Sequence, residues 1–170
     1  MRLAAGTALL TSAVLVCSLP RIGHAQGGTP GVEDMIRALT PPTKTRSLGA
    51  AGGLTRNLQP MLDLTIHFDF DSAAIREDSK KSLQNLAAAL NDRRLAAYRF
   101  QIQGHTDAQG TAAYNDILST RRAQAVVGFL QAEGIALDRL NAVGMGFREL
   151  LDTVDPKSPK NRRVRVLTQP

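Results

Sequence analysis

The sequence predicts an α/β two-layer sandwich in which strands and helices alternate along the chain. Apolar residues recur at every second position from Leu62 to Phe70, which is the pattern of a half-buried strand. From Leu83 to Leu90 they recur at helical spacing, and the alternation returns from Tyr98 to Ile102. Because this order continues as βαβαβ plus a final strand, we expect a small mixed sheet with two long helices on one face.

Turn and cap signals separate these elements. Residues 72–77 are predicted to form a turn, after which Asp78 or Ser79 can cap the first long helix. The second long helix is predicted from Tyr114 to Glu133, because Gly134 can end it. Three side chains of this helix are expected in the core: Tyr114, Ile117 and Phe129.

Two more strands complete the predicted sheet. Alternation of apolar residues predicts a third strand around residues 140–145 and a fourth from Arg163 to Leu167. A single folded domain is expected, because domains usually contain about 100–150 residues. We assign this domain to residues 61–170.

The N-terminus has the pattern of a cleaved export signal over residues 1–25. Arg2 precedes an uncharged apolar run from Leu3 to Leu19. The small residues Gly23 and Ala25 suit a signal peptidase and predict cleavage after Ala25. An uncleaved membrane anchor is the main alternative, although the run is slightly short of the ~20 residues that a spanning helix needs.

The single cysteine of the chain, Cys17, lies inside this apolar run. Lipidation of Cys17 is a second alternative, but lipoprotein signals normally have a small residue directly before the cysteine, and Val16 is branched. With cleavage after Ala25, the mature chain contains no cysteine. A disulfide framework, a thiol nucleophile and a cysteine metal site are then excluded.

Residues 26–60 are expected to form a flexible tether. The segment is rich in Gly, Pro and Thr, and only residues 32–39 have apolar side chains at helical spacing. A segment of this composition is expected to bury too little apolar surface to offset the entropy that is lost when it becomes ordered. We therefore predict a tether with one short helix in front of the folded domain.

The chain is basic, with a formal net charge of +6. It contains no long basic run with interleaved aromatic residues, and an export signal argues against contact with nucleic acid. A modest positive charge suits an anionic polymer or a membrane surface. Nucleic-acid binding is therefore excluded, and we expect an exported protein of the periplasm or outer membrane.

The most informative stretch is the loop after the second predicted strand, Gly104-His105-Thr106-Asp107-Ala108-Gln109-Gly110. On the next helix, Asn115, Leu118 and Arg122 share one face because they are spaced i, i+3 and i+7. Asp107 can accept a hydrogen bond from an ammonium group, and the planar guanidinium of Arg122 suits a carboxylate. Leu118 offers an apolar floor. The pattern predicts a ligand that has an ammonium group, a carboxylate and an aliphatic stem.

This loop belongs to a longer pattern. It is followed by Tyr114-Asn115, Leu118-Ser119 and Arg121-Arg122-Ala123, and near the end of the chain by Asn161-Arg162-Arg163-Val164. Over about residues 64–166 the sequence closely resembles the OmpA-like C-terminal domain. The resemblance implies a binding module rather than an enzyme. Such a module holds peptidoglycan non-covalently, through the diaminopimelate residue of the stem peptide, and needs no cofactor.

The resemblance also implies roles for individual residues. Asp107 would hold the ammonium group of diaminopimelate and Arg122 its carboxylate, with Leu118 as the apolar contact between them. The remaining site residues would line the opposite wall of the pocket (Phe70, Asp71 and Ser72) or order the loop (Thr106 and Asn115).

Other interpretations of these residues are open at this point. Asp107 and Arg122 could form an exposed ion pair without function, worth about 0–1 kcal/mol. His105 could be a metal ligand or a base, but no second His or Cys stands at metal-ligand spacing, so a packing role is favoured. Asp69 and Asp71 could be a carboxylate pair for glycoside hydrolysis, but no environment that would raise either pKa is visible.

Three arginines have roles that the sequence leaves open. Arg162 and Arg163 begin the last predicted strand, where one of them could brace the site or both could be solvated. Arg121 lies one turn from Ile117 and is expected to be a solvated or wall-stabilising charge rather than a ligand contact.

The sequence is compatible with three classes of function. The leading hypothesis is a module of the Gram-negative envelope that tethers envelope components to the cell wall. The second is a membrane-anchored structural subunit with the same domain, as in Pal-type lipoproteins or flagellar stators. The third is a cell-wall hydrolase, for which the sequence offers neither a nucleophile with a base nor a metal cluster. The expected partners are peptidoglycan and outer-membrane or envelope proteins.

Overall fold

The computed structural model describes residues 29–42, 59–69 and 71–169. Within these ranges, three α-helices cover one face of a four-stranded sheet. The elements are α1 (Val32–Leu39), β1 (Met61–Leu64), α2 (Glu77–Leu90), β2 (Arg99–His105), α3 (Ala112–Ala132), β3 (Leu140–Gly146) and β4 (Arg163–Gln169). Short 3-10 turns precede β3 (Leu137–Arg139) and β4 (Pro159–Asn161). The predicted α/β two-layer sandwich with a mixed sheet is confirmed.

The strand order is β1-β4-β2-β3. β4 runs antiparallel to both of its neighbours, β1 and β2, whereas β2 and β3 are parallel. The last strand of the chain therefore lies inside the sheet. Its pairing with β2 places Arg163 directly opposite His105, at the edge of the sheet from which the loop to α3 leaves.

β1 is shorter than the alternation of apolar residues predicts, because it ends at Leu64. The chain after it folds on itself instead: Phe68 forms an isolated bridge with Ile75, and Arg76 N–H donates to His67 O at 3.0 Å. These local hydrogen bonds satisfy backbone groups that a longer strand would have paired in the sheet.

α2 begins without the predicted side-chain cap. Its N-terminal cap position is Arg76, which makes no capping hydrogen bond. The hydroxyl of Ser79 accepts from the backbone N–H of His67 at 2.8 Å instead, and it donates to Asp78 at 3.0 Å. Ser79 therefore ties the turn to the helix rather than capping it.

α1 lies within the segment that was predicted to be a tether, at the predicted residues. Met35, Ile36 and Leu39 are buried in the core, and Thr168 Oγ1 of β4 donates to Leu39 O at 2.6 Å. The expectation that this segment buries little apolar surface is wrong for the helix, since its amphipathic face covers the sheet beside α2. The predicted signal peptide, with Cys17, lies outside the described residues.

The core is one apolar cluster between the sheet and the helices. Its fully buried members from β2 and β4 are Phe100, Ile102, Val164 and Val166, and its largest members from α2 and α3 are Leu83, Leu86, Leu90, Val126 and Leu130. Among the described helices, none is both long enough and apolar enough to cross a membrane.

Two glycines let α3 lie directly on the backbone of the sheet. A Cβ atom at Gly104 of β2 would lie 2.2 Å from Ser119 O, and one at Gly144 of β3 would lie 2.1 Å from Thr120 Oγ1. Both distances are far below van der Waals contact, so any side chain there would push the helix away. This close approach sets the position of α3 relative to the loop after β2.

We predict that Gly144→Ala lowers the free energy of unfolding by about 1–3 kcal/mol, because the added methyl group overpacks the helix–sheet contact. The matched control is Gly128→Ala on the exposed side of α3, where an added Cβ has no atom within 4 Å. Alanine there should be neutral or stabilising by up to about 1 kcal/mol, because it is the better helix former. Urea unfolding followed by circular dichroism measures both, and equal effects would contradict the close approach.

Candidate ligand-binding site

Asp107 lies in the loop that connects β2 to α3, and its carboxylate is held from two sides. Oδ2 accepts a hydrogen bond from Arg162 Nη1 at 2.7 Å, and Oδ1 accepts one from the backbone N–H of Gln109 at 3.1 Å. The residue is only 6% exposed. Asp107 and Arg122 therefore do not form an exposed ion pair in this structure. Of the two arginines at the start of the last strand, Arg162 is the one that contacts Asp107.

The side chain of Asn115 is hydrogen-bonded to the loop. Its Nδ2 donates to Gln109 O at 2.7 Å and to Thr111 O at 3.1 Å. Thr111 caps α3 by accepting from Tyr114 N–H at 3.2 Å, and Gly110 turns the chain with φ +87°, a value that favours glycine. The loop is thus closed onto the first turn of the helix that carries Arg122.

Thr106 contributes to the order of the loop through its backbone. Its N–H donates to Gly146 O at 2.8 Å, which joins the loop to the end of β3. Its hydroxyl is buried and has no hydrogen-bond partner among the described residues.

The Nε atom of Arg122 is hydrogen-bonded, whereas, in the part of the chain that the structure describes, its two terminal nitrogens, which we call the tip, are not. Its Nε donates to Ser72 O at 3.1 Å, and its guanidinium carbon lies 4.9 Å from the centre of the Phe68 ring, which is a cation–π contact. No described residue forms a hydrogen bond or ion pair with Nη1 or Nη2. Burial lowers the pKa of Arg122, but arginine remains protonated in proteins, so the tip is a positioned donor.

Asp107 and Arg122 line the same cavity, a groove of about 720 Å³ that we call the site groove. It lies between the loop after β2, one face of α3 and the segment that follows β1. The predicted site residues that line it are Asp71, Thr106, Asp107, Asn115, Leu118 and Arg122. Ser72 lines an adjoining cavity, together with Asp71 and Leu118, and Phe70 lies outside the described residues.

Asp71 forms the turn on the far side of the groove from the loop. Its φ of +50° lies in the left-handed region, which residues other than glycine rarely adopt. Its carboxylate accepts a hydrogen bond from the hydroxyl of Tyr114, and this bond raises the pKa of Tyr114. The bond connects the turn to α3 beside the groove.

The prediction that Tyr114 and Ile117 lie in the core is wrong. They are 44% and 55% exposed, respectively, because the buried stripe of α3 runs along a different face, through Ser119, Ala123 and Val126. Sequence reasoning therefore missed Tyr114 as a residue of the site groove. Arg121 is exposed, as expected.

The segment between β3 and β4 positions Arg162, and the sequence offered little to predict this. Asn161 is fully buried, and its side chain accepts from Asp152 N–H at 2.9 Å and donates to Pro156 O at 3.1 Å. Pro156 O also accepts from Ala108 N–H at 2.9 Å. This network fixes the turn just before Arg162 against the loop that contains Asp107.

His105 is a buried residue at the end of β2, with 2% exposure. Burial, together with the smaller effect of the nearby cations Arg163 and Arg165, lowers its pKa to about 4. The imidazole is therefore neutral at neutral pH. In the described ranges, no group of three or more His, Cys, Asp or Glu side chains is placed to hold a metal ion.

The family model of the OmpA family matches residues 67–165. The chain belongs to the OmpA family. The matched range contains the loop, α3 and the start of β4, so the resemblance that the motif suggested is confirmed.

Several relatives are similar over much of this chain. A peptidoglycan-associated lipoprotein of Agrobacterium fabrum is 34% identical over 129 residues, which are 71% of each chain. Outer membrane porin F of Pseudomonas aeruginosa is 41% identical over 86 residues, half of this chain but only 24% of the porin. The crystal structure of the peptidoglycan-associated lipoprotein from Burkholderia pseudomallei has a TM-score of 0.52 at 30% identity, covering 61% of this chain and 88% of that one.

These relatives are named as lipoproteins and a porin of the outer membrane, not as enzymes. Their names agree with the predicted envelope location and with the prediction that the chain is not an enzyme. The predicted export signal stays a prediction, because it precedes the described residues.

We predict that His105 makes the fold sensitive to acid. Because its pKa is lowered from 6.5 to about 4 in the folded chain, its contribution to stability is fully present above pH 6.5 and is lost as the pH falls towards 4. The loss should be on the order of 2–3 kcal/mol. The control is His105→Gln, which cannot titrate: its free energy of unfolding should fall less between pH 7 and pH 4.5. Parallel pH profiles of the two proteins would contradict the neutral, buried histidine.

Proposed function

We propose that the chain binds peptidoglycan non-covalently, through the diaminopimelate residue of the stem peptide, and tethers a component of the envelope to the cell wall. The observation that carries the proposal is that a negative and a positive side chain line the same groove. Asp107 and Arg122 both line the site groove, and the tip of Arg122 has no partner among the described residues.

The groove matches the end of the diaminopimelate side chain group by group. That end consists of methylene groups followed by a carbon that carries an ammonium group and a carboxylate. Arg122 offers two terminal nitrogens in the fork that suits a carboxylate. Leu118, which is half-buried and lines the groove, offers an apolar contact for the methylene groups.

Asp107 can accept the ammonium group even though Arg162 already contacts it. An ionised carboxylate has about four acceptor positions on its two oxygens, and the hydrogen bonds from Arg162 and Gln109 occupy one position on each oxygen. The same two bonds hold the carboxylate in one orientation before the ligand arrives. Such preorganisation reduces the entropy that is lost on binding.

The relatives support peptidoglycan as the partner. Two of the similar proteins are named peptidoglycan-associated lipoproteins. The match to porin F covers about a quarter of that protein, so only the properties of the shared domain are proposed for this chain. The mass of the mature native protein distinguishes cleavage after Ala25, lipidation at Cys17 and an uncleaved anchor that keeps Met1.

We predict that Arg122→Ala weakens binding of a diaminopimelate stem peptide by about tenfold to a hundredfold. A lost hydrogen bond to a charged group is worth about 1.5–3 kcal/mol, which corresponds to this range. Arg122→Lys should restore little of the loss, because an ammonium group cannot form the bidentate fork. Isothermal titration calorimetry with the soluble peptide measures the affinities.

The matched control is Arg121→Ala, which removes the same charge from the neighbouring, exposed position on α3. Equal weakening by both variants would show that only general charge attraction is involved. The proposed contact between Arg122 and the ligand carboxylate would then be wrong. Circular dichroism of Arg122→Ala separates a loss of binding from a loss of fold. An unfolded Arg122→Ala variant would mean that Arg122 has a structural role instead.

A further inference from the structure

A second cavity, of about 240 Å³, adjoins the site groove. The two cavities share Phe68, Arg76, Arg122 and Arg162 as lining residues. The rest of the second cavity is formed by the segment after β1, the end of β2 and the start of β4. We call it the arginine pocket, after the arginines that line it: Arg76, Arg122, Arg162 and Arg163.

The arginine pocket has an excess of positive charge. Among the described residues, no carboxylate lines it. Three of its arginines have acidic partners that lie outside the lining: Asp78 for Arg76 at 3.4 Å, Asp107 for Arg162 at 2.7 Å and Asp63 for Arg163 at 3.2 Å. Arg122 has no acidic partner in the described ranges. The described lining therefore keeps one uncompensated positive charge, that of Arg122, and a positively charged concave site attracts an anion.

His105 provides an independent observation at the same place. It lines the arginine pocket and is 2% exposed, yet neither ring nitrogen has a hydrogen-bond partner among the described residues. A neutral imidazole carries one N–H donor. Buried polar groups in folded proteins are nearly always hydrogen-bonded, so this donor calls for an acceptor from outside the protein, either a water molecule or an anion, and the positive charge of the pocket favours the anion.

We propose that the arginine pocket binds one oxyanion group, a carboxylate or a phosphate, which accepts hydrogen bonds from His105 and from the lining guanidinium groups other than that of Arg122. Guanidinium groups match oxyanions in geometry as well as in charge. The volume corresponds to about eight water molecules at about 30 Å³ each. It is below the usual ~300–1,000 Å³ of a pocket for a complete small ligand, so it suits one charged group.

The shared wall indicates the source of this group. Because Arg122 and Arg162 line both cavities, a ligand bound in the site groove can extend a second acidic group into the arginine pocket. We assign the oxyanion to a carboxylate of the stem peptide other than those of diaminopimelate. This assignment rests on the proposed function, whereas the binding of an oxyanion does not.

The first test is a titration of the full chain with inorganic phosphate, followed by the ring nitrogen resonances of its histidines in NMR spectra. The resonances of His105 should shift and saturate at millimolar phosphate, while sodium chloride at equal ionic strength should leave them unchanged. No saturable shift, or an equal shift with chloride, would overturn the oxyanion site and leave a pocket filled by solvent.

Two variants of one residue test the contact itself. His105→Phe keeps a ring but removes the N–H donor, and it should weaken phosphate binding about tenfold. His105→Gln keeps a donor and should remain within a few-fold of the original affinity. Calorimetry measures the affinities, and circular dichroism checks that both variants are folded. Folded His105→Phe that binds phosphate with unchanged affinity would overturn the proposal.

A competition experiment identifies the source of the oxyanion. Phosphate should weaken binding of a stem peptide that carries a further carboxylate, but not binding of the same peptide with that carboxylate amidated. Unchanged peptide binding at saturating phosphate would overturn the assignment to the cell-wall ligand. Equal competition against both ligands would place the anion on Arg122 in the site groove and overturn the separate pocket. Phosphate binding without any diaminopimelate binding would contradict the proposed function while supporting the oxyanion site.

Discussion

The direct contact between α3 and the backbone of β2 and β3 is the constraint on which the site depends. Gly104 and Gly144 have no side chains to hold the helix away, and atoms of Ser119 and Thr120 occupy the space that a Cβ would need. The loop between β2 and α3 is short, so its position follows from the position of the helix. Asp107 on the loop and Arg122 on the helix therefore line one groove.

The pairing of β4 supplies the remaining half of the site. Because the last strand enters the sheet beside β2, the turn that precedes it lies next to the loop after β2. Asn161 fixes this turn from inside, and Arg162 then reaches Asp107. One oxygen of the carboxylate is thus held by Arg162, which lies 55 positions away in the chain, so its orientation depends on the pairing of β4 with β2.

The sequence was sufficient to predict the parts of the fold that have a strong local pattern. The periodicity of apolar residues predicted β2, α3 and the two-layer arrangement, and the loop composition with the i, i+3 and i+7 spacing on the next helix predicted that Asp107 and Leu118 lie close together. The end of β1 was not predictable in this way, because the hydrogen bond from Arg76 N–H to His67 O competes with a continued alternation. The periodicity of apolar residues does not show whether a backbone group bonds to a neighbouring strand or to a nearby residue of its own segment.

Contacts between distant residues were the other part that the sequence did not reveal. The burial of α1 depends on its packing against the sheet and α2, which outweighs the Gly- and Pro-rich composition around it. The partner of Asp107 proved to be Arg162 rather than Arg122, and Tyr114 proved to contact Asp71 rather than the core. Each of these contacts depends on the tertiary structure and cannot be read from the spacing of residues along the chain.

The most direct test of the account compares two stem peptides that differ only in one group. In one peptide the third residue is diaminopimelate, and in the other it is lysine, which keeps the ammonium group and lacks the terminal carboxylate. If Arg122 binds that carboxylate, the lysine peptide should bind the unmodified protein at least about tenfold more weakly. The difference should disappear in Arg122→Ala, because the carboxylate then has no partner. Equal binding of both peptides by the unmodified protein, measured by calorimetry, would contradict the account.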